Sequence, residues 1–234
     1  MKIPDYIKGH IENLHEICFI SESLLGIATN IEKSKKLFKE GCKPLIMISG
    51  LSGSGKDTVM DLMIARDAKF KRVQTCTTRA LREGENGLDD PHIRLTESEY
   101  LERLASGDVL EHAKYAGHYY CTSRSITRAA IEANTTPILR VDPVGAKNIL
   151  NLWESGDAMF ADVSIYYFFI IPDDFEVLRR RLLDRGSDEK TIADRMKQSS
   201  EDLKNIDKSQ YIAINREGQA EKLVDEILWV VRNW

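Results

Sequence analysis

Several features that mark particular classes of protein are missing from this sequence. The 234 residues include four cysteines with no C-x-x-C pair, which argues against a disulfide framework and against a clustered zinc site. Acidic side chains outnumber basic ones by 37 to 33, and the formal net charge of −4 gives no reason to expect nucleic acid or an anionic membrane as a partner. The longest apolar run, from Val163 to Ile171, is too short to span a bilayer.

The amino terminus and the texture of the chain exclude further classes. Residues 1–5 read Met-Lys-Ile-Pro-Asp and lack the apolar core of a secretory signal peptide. No internal repeat and no low-complexity linker interrupts the chain, and its length suffices for one sizeable core. We therefore expect a cytoplasmic protein, a monomer or a homodimer, with no nucleic-acid or membrane partner.

A glycine-rich segment after the apolar run Leu45–Ser49 carries most of the functional information. Its glycines let successive N–H groups point into one concavity at the start of a helix, which suits a multiply charged phosphate better than it suits an ordinary turn. Lys56 would reach the β- and γ-phosphates, as in the P-loop G-x-x-x-x-G-K-[ST]. The predicted ATP-binding residues here are Gly50, Ser52, Gly53, Ser54, Gly55, Lys56, Asp57 and Thr58.

The P-loop departs from its usual pattern at one position. Asp57 stands where serine or threonine usually holds Mg²⁺, and Thr58 follows it. Mg²⁺ commonly keeps several waters and binds through one or two protein oxygens together with substrate phosphates. We therefore predict Thr58 as the protein ligand of a Mg²⁺ ion that is held mostly by water and phosphate.

Strand-like and helical segments alternate from Leu45 onward, which predicts an α/β fold with a central parallel sheet flanked by helices. The predicted strands are Leu45–Ser49, Arg72–Thr75, Pro137–Asp142, Val163–Ile171 and Tyr211–Asn215. The predicted helices are 56–67, 143–154, 173–184, 188–205 and 218–231. Residues 1–43 have apolar side chains at three- and four-residue spacings, which predicts a helical extension of unknown role before a catalytic domain at 44–234.

Residues 76–136 have a different texture and are predicted to form a small mixed α+β insertion. Short apolar or aromatic runs (Ile93–Leu95, Val109–Tyr115 and His118–Cys121) surround a helical segment, Glu97–Leu104. Ligands of parallel α/β sheets bind beyond the carboxyl ends of the strands, where the P-loop also lies. The insertion is therefore expected to hold a second substrate opposite the triphosphate.

Several motifs, in the same order along the chain, resemble those of guanylate kinases. The segment 75–85, T-C-T-T-R-A-L-R-E-G-E, resembles the acceptor segment T-T-R-x-x-R-x-G-E of that family. Residues 110–113, 117–124 and 141–146 resemble its F-L-E-x-A, G-N-Y-Y-G-T-S and I-D-V-Q-G-A motifs. The correspondence extends from about residue 45 to the end and leaves the first 43 residues uncovered.

The resemblance implies transfer of the γ-phosphoryl group of Mg-ATP to GMP, and the residue chemistry agrees with it. Two arginines three residues apart can grip a monophosphate with charge-assisted hydrogen bonds. The Glu111 carboxylate can accept N1–H and the exocyclic amine of guanine, whereas adenine has no N1–H to donate. The predicted GMP-binding residues are Thr75, Arg79, Arg82, Glu111, Tyr120, Thr122 and Asp142.

A helical lid over about 181–200 is also implied by the resemblance. Residues 181–186 and 193–196 match the R-L-x-x-R-G and x-x-R-[LM] motifs of the family's mobile lid. Arg181, Arg185 and Arg195 are therefore predicted to act with Lys56 as catalytic cations over the triphosphate. Asn215 matches a position near the adenine of the donor.

The sequence also departs from the family in its acceptor half, and two alternatives remain. Residues 89–93 contain no tyrosine where the family has D-Y-x-F, and Arg140 stands at a commonly acidic position. Residues 53–57 and 92–100 also resemble ribose 1,5-bisphosphate phosphokinase, which is the first alternative. The second is a non-catalytic guanylate-kinase-like module that binds protein partners, and the intact glycines with Lys56 argue against it.

Overall fold

Two β-sheets and the helices packed on them make up the computed structural model, which describes residues 4–9, 17–19, 27–30, 37–81, 90–115, 117–184 and 186–233. The strands are β1 Ile17–Phe19, β2 Ile27–Asn30, β3 Lys43–Gly50, β4 Phe70–Arg72, β5 Thr75–Thr77, β6 His92–Arg94, β7 Val109–Tyr115, β8 His118–Ser123, β9 Thr136–Arg140, β10 Val163–Pro172 and β11 Tyr211–Asn215.

The helices are distributed along the described parts of the chain and pack on both sheets. They are α1 Asp5–Lys8, α2 Lys56–Arg66, α3 Glu97–Ala105, α4 Arg124–Glu132, α5 Pro143–Glu154, α6 Glu176–Asp184, α7 Glu189–Leu203 and α8 Ala220–Asn233. Short 3₁₀ turns lie at Ala158–Phe160 and Ile206–Lys208. Within the described ranges, no helix has the length and apolar character needed to cross a membrane.

The larger sheet is parallel through its centre. Its strand order is β1-β2-β11-β10-β3-β9-β4, and every pairing from β11 to β4 is parallel. All ten residues of β10 are buried, as expected for a parallel strand covered by helices on both faces. The predicted α/β fold with a mostly parallel central sheet is therefore confirmed.

Successive side chains of the central strands enter two different cores. In β3, Leu45 and Met47 pack with residues of α5, α6 and α7, whereas Ile46 and Ile48 pack with residues of α2 and α8. This division follows from the alternation of side chains across a strand. Each large apolar side chain buried in this way contributes about 1.5–3 kcal/mol of transfer free energy. The two cores fix β3, and with it the segment that follows Gly50.

The smaller sheet has the strand order β6-β5-β8-β7 and is mixed. Its β5–β6 pairing is parallel, while β5–β8 and β7–β8 are antiparallel. Helix α3 begins at a capping box in which the Thr96 side chain accepts from Glu99 N, and Glu99 accepts from Thr96 N. Tyr100 of α3 packs with Cys76 and Cys121, so α3 covers one face of this sheet.

The single strand predicted over Arg72–Thr75 is wrong. The structure has β4, which ends at Arg72, and a separate β5, which begins at Thr75. Val73 N still donates to Ile138 O of β9 at 2.9 Å, whereas Thr75 already pairs with His92 of the smaller sheet. The chain therefore changes sheets around Gln74, and an apolar pattern does not reveal such a change.

The helical prediction for residues 1–43 is wrong for its described central part. Ile17–Phe19 and Ile27–Asn30 form an antiparallel pair, and β2 extends the large sheet beside β11. Thr29 Oγ1 donates to Gln210 O at 3.0 Å, and Ile27 and Ala28 are buried. Pairing with an otherwise open sheet edge outweighs the local helical spacing. Asp5–Lys8 is helical as predicted.

Candidate active site

The segment from Gly50 to Lys56 connects β3 to α2 through a tight curve of backbone. Gly50 has φ 133°, and a Cβ atom at this position would collide with the Ile170 carbonyl of β10. Gly55 has φ 92° and caps α2, and a Cβ there would collide with the Asn215 amide. Only glycine fits at either position, because each combines a left-handed backbone with a close neighbour. The fold therefore requires these residues whether or not a phosphate is bound.

Lys56 is the first residue of α2, and its ammonium group points back into the segment. Nζ donates to Gly50 O at 2.9 Å and to Leu51 O at 2.7 Å. Ser54 is fully buried, and its hydroxyl has no hydrogen-bond partner within the described part of the chain. Ser52 and Gly53 are half-buried. The backbone carbonyls thus hold the cation at the helix start, where an anionic ligand would meet it.

Asn215, the last residue of β11, is hydrogen-bonded to the segment Gly50–Lys56. Its Nδ2 donates to Ser54 O at 2.8 Å, and its side chain is almost completely buried. The other amide atom, Oδ1, is buried without a hydrogen-bond partner among the described residues. The Asn215 side chain therefore contacts the segment Gly50–Lys56 through the backbone of Ser54. The sequence did not predict this contact.

Arg181, one of the three arginines predicted to lie in a lid, contacts the segment Gly50–Lys56. Its Nη1 donates to Gly53 O at 3.0 Å from α6. Arg195 is half-buried on α7, and Arg185 lies outside the described residues. The neighbouring arginines point elsewhere, since Arg179 pairs with Glu189 at 3.2 Å and Arg180 pairs with Glu217 at 2.5 Å. Of the three arginines on α6, Arg181 is the one that contacts the same backbone segment as the Lys56 ammonium group.

Asp57 and Thr58 are exposed on the first turn of α2. Arg140 Nη1, at the end of β9, donates to both oxygens of Asp57 at 2.9 and 3.1 Å, and Arg72 lies 3.9 Å away. Two of the positions at which the sequence departs from the motifs it resembles, Asp57 and Arg140, therefore contact each other. No group of three His, Cys, Asp or Glu side chains that could hold a metal occurs in the described ranges.

The face of the smaller sheet turned away from α3, termed its open face because α3 does not cover it, carries most of the predicted acceptor residues. Tyr119, Cys121 and Ile93 lie on the face that packs against α3. Because strand side chains alternate, their neighbours point to the opposite face. This face comprises Thr75, Thr77, His92, Arg94, Glu111, Tyr120 and Thr122, from all four strands. A sequence pattern reveals each alternation but not which strands adjoin.

Glu111 is a buried carboxylate on this face. It is 8% exposed and accepts a hydrogen bond from Thr122 Oγ1. Burial raises the pKa of Glu111 to about 7 against the opposing effect of the Thr122 hydrogen bond, and the Asp142 carboxylate raises it further. A Cβ added at Gly145 would lie 2.6 Å from Glu111 Oε2, so the backbone of α5 closes directly over the carboxylate.

Asp142 is the N-cap residue of α5. Its Oδ1 accepts from Val144 N and from Gly145 N, each at 2.8 Å. This N-cap holds the helix end that packs over Glu111, so Asp142 shapes the site through α5 as well as through its charge.

His92 belongs to this site, although the sequence did not identify it as a site residue. Thr75 Oγ1 and His92 Nδ1 lie 2.7 Å apart, and the imidazole meets the Tyr120 ring edge-on with 5.8 Å between centroids. Burial lowers the pKa of His92 to about 4, and the positive charges of Arg140, Arg94 and Arg79 act in the same direction against Asp90. The imidazole is therefore neutral at physiological pH. The parallel register of β5 and β6 creates these contacts, and local sequence does not encode it.

Arg79 follows β5 at the edge of the same face. Its backbone N–H donates to Thr77 Oγ1 at 3.1 Å, and its carbonyl accepts from Arg94 Nη1 at 2.8 Å. Arg94 in turn donates to Asp90 Oδ2 at 2.6 Å. The backbone of Arg79 is thus fixed on both sides. The second arginine of the predicted pair, Arg82, lies outside the described residues.

Asp202 is a second residue that sequence reasoning missed. It lies near the end of α7, is 9% exposed and accepts from Gln198 Nε2 at 2.9 Å. Burial raises the pKa of Asp202 against the effect of the Gln198 hydrogen bond and the charge of Lys56. The interaction with Lys56 brings α7 into electrostatic contact with the segment Gly50–Lys56.

Comparisons with known proteins show which family this chain is similar to. The family model described as guanylate kinase matches residues 42–232. A guanylate kinase from Chromohalobacter salexigens is 34% identical over 173 residues, which cover 73% of this chain and 75% of the relative. A guanylate kinase from Desulfotalea psychrophila is 33% identical over 190 residues, which cover 80% and 89%.

A solved structure has a similar fold. The crystal structure of guanylate kinase from Anaplasma phagocytophilum aligns with a TM-score of 0.60 at 20% identity, covering 84% of this chain and 87% of that one. Neither a sugar-bisphosphate kinase nor a non-catalytic binding module is favoured by these matches. The resemblance inferred from the motifs is therefore confirmed, and this chain belongs to the guanylate kinase family.

Proposed function

We propose that this protein transfers the γ-phosphoryl group of Mg-ATP to the phosphate of GMP, giving ADP and GDP. The observation that carries the proposal is Glu111, a carboxylate buried on the open face of the smaller sheet. Its two oxygens can accept N1–H and the exocyclic amine of guanine. Adenine lacks N1–H, so it would leave one buried acceptor unpaired and bind much more weakly.

On the donor side, the proposed work of the protein is positioning and charge neutralisation. Lys56 and Arg181 already converge on the backbone between Gly50 and Lys56. Phosphate oxygens of ATP would replace these carbonyls as partners of the two cations, with Arg185 and Arg195 joining them from the lid. Phosphoryl transfer needs little covalent chemistry from the protein, so cations held near the moving group supply most of the rate enhancement.

On the acceptor side, we assign the phosphate and the base of GMP to different residues. Arg79, Arg82 and Tyr120 anchor the phosphate, and His92 adds a neutral imidazole beside Tyr120. Thr75, Thr122 and Asp142 complete the surroundings of the base around Glu111. A neutral imidazole can donate a hydrogen bond to an anion without requiring a proton from solvent.

Oxygen donors at the start of α2 fit a magnesium ion. Thr58 and Asp57 are exposed next to Lys56, and hydroxyl and carboxylate oxygens are the ligands that Mg²⁺ accepts. We propose Thr58 as a ligand alongside water and the triphosphate. When bound, Mg²⁺ neutralises charge on the donor phosphates, while Lys56 and the arginines orient those phosphates.

Coupled measurement of ADP release tests this function. GMP, dGMP, AMP, dTMP and ribose 1,5-bisphosphate are supplied in turn with Mg-ATP. We expect turnover with GMP far above that with AMP or dTMP, because only a guanine base pairs fully with Glu111. Turnover with the sugar bisphosphate alone would contradict the proposal. So would the absence of ADP with every acceptor.

A further inference from the structure

The amino-terminal helix α1 contacts the connection that leads into the lid. Tyr6 OH donates to Pro172 O, the last residue of β10, at 2.6 Å. The Tyr6 ring packs on Phe175, with 5.3 Å between centroids, and the next residue, Ile7, is completely buried in the core. Tyr6 and Ile7 precede position 42, where the family match begins, so the match assigns these two residues no role.

The Tyr6 contacts span the whole connection between β10 and α6. Pro172 ends the strand and Phe175 immediately precedes the helix, so one side chain holds both ends of a four-residue segment. Asp174 Oδ1 accepts from Glu176 N at 3.0 Å, which fixes the first turn of α6 to the same segment. The direction in which α6 leaves the sheet therefore depends on the segment Pro172–Phe175, which Tyr6 contacts at both ends.

Helix α6 in turn lies directly against the segment Gly50–Lys56. A Cβ built on Gly53 would be 3.8 Å from Leu178 Cδ2 and from Leu178 O, which is ordinary van der Waals contact. One turn further along, Arg181 Nη1 donates to Gly53 O at 3.0 Å. A small rotation of α6 about its first turn would move the Arg181 guanidinium by more than a hydrogen bond tolerates.

We propose that Tyr6 is a positioning residue, which holds the β10–α6 connection so that Arg181 lies over the donor phosphates. This inference rests on the proposed function, because it assigns ATP to the segment that Arg181 contacts. It gives the amino-terminal extension a role in the donor half of the reaction and none in the acceptor half. The Tyr6 hydroxyl remains a donor at all working pH values, because burial raises its pKa and the carboxylates of Asp173 and Asp174 raise it further.

Tyr6→Phe tests the proposal with little risk to folding, because it keeps the ring and removes only the hydroxyl. ATP and GMP affinities are measured separately by calorimetry, with Lys8→Gln on the same helix as the control. We expect the ATP dissociation constant to rise about fivefold, as for loss of one hydrogen bond, and the GMP constant to stay unchanged. Equal weakening of both ligands, or no change for ATP, would overturn the proposal.

A second background separates positioning from general loosening of the fold. If Tyr6 acts through Arg181, Tyr6→Phe has no further effect on ATP affinity once Arg181→Ala is present. An undiminished effect in that background would refute a route through Arg181. Because ATP binding is measured without an acceptor, these results stand even if the unmodified protein fails to phosphorylate GMP. Failure of that turnover would refute the proposed function instead.

Discussion

The two halves of the candidate site are built in different ways. In the donor half, Lys56 and Arg181 are held by main-chain carbonyls of one continuous segment, Gly50–Gly53. In the acceptor half, Glu111, His92 and Tyr120 come from three strands and are held by side chains of their neighbours. A segment that binds through its backbone is specified by glycine spacing, whereas a face assembled from three strands is specified by register.

This contrast implies that changes in the two halves have separable effects. A change to a donor cation should reduce turnover with every acceptor and leave acceptor binding intact. A change on the open face of the smaller sheet should alter recognition of the base and leave ATP binding intact. The following experiments are ordered by the size of the effect expected.

Lys56→Ala is expected to have the largest effect. Removal of a charge aimed at the transferring group should lower kcat by a factor of about 10² to 10³ with any acceptor. Calorimetry should give the same GMP dissociation constant as for the unmodified protein. Lys71→Ala, at an exposed position of β4, is the control and should retain full turnover. A large loss of GMP affinity in Lys56→Ala would mean that the two halves are not separable.

Glu111→Gln should produce the converse result. A glutamine amide has one acceptor oxygen and one NH₂ donor, so it cannot accept hydrogen bonds from both guanine donors with two separate oxygens. GMP affinity should therefore fall by about a hundredfold, as for a lost charge-assisted interaction. ATP affinity should not change. Glu97→Gln, on the exposed first turn of α3, is the matched control. If GMP binds Glu111→Gln normally, the base is read elsewhere.

The raised pKa of Glu111 predicts that recognition of the base depends on pH. With a pKa of about 7, the carboxylate is mostly protonated at pH 6 and mostly ionised at pH 8. Only the ionised form accepts both donors of guanine, so guanosine affinity should rise about tenfold over this range. Guanosine is the chosen ligand because it has no phosphate to titrate. The dependence should vanish in Glu111→Gln, and a flat profile in the unmodified protein would contradict the assignment.

Breaking the Asp57–Arg140 pair should have the smallest effect. Both side chains are substantially exposed, so solvent screens their interaction. Asp57→Asn, Arg140→Gln and the double variant form a cycle measured by chemical denaturation. We expect a coupling of about 0.5 kcal/mol in the free energy of unfolding. A coupling several times larger would show that the pair is a structural element of the site.

The turn and the helix that form the proposed donor half could be predicted from sequence because their signals are local. Glycine spacing and the following lysine lie within seven residues, and α2 begins at Lys56 as predicted. The central strands were also predictable, since long apolar runs such as β10 admit few alternatives. Each of these features depends on neighbours along the chain.

The remaining features depend on pairings between distant residues. Thr29 meets Gln210, which lies 181 positions away, and this pairing turns a helical pattern into a strand. His92 lies on the open face only because β6 pairs in parallel with β5. Asp57 contacts Arg140, which lies 83 positions away in the sequence. Such contacts follow from the way whole elements pack, which short-range patterns do not specify.

The separation of the two halves is tested most directly by a crystal structure of the protein with GMP and a non-hydrolysable ATP analogue bound together. We predict that the guanine lies against Glu111, with its phosphate beside Tyr120 and His92. The triphosphate should lie on the segment from Gly50 to Lys56, in contact with Arg181. GMP bound away from the open face of the smaller sheet, or a triphosphate without contact to Lys56, would contradict the account.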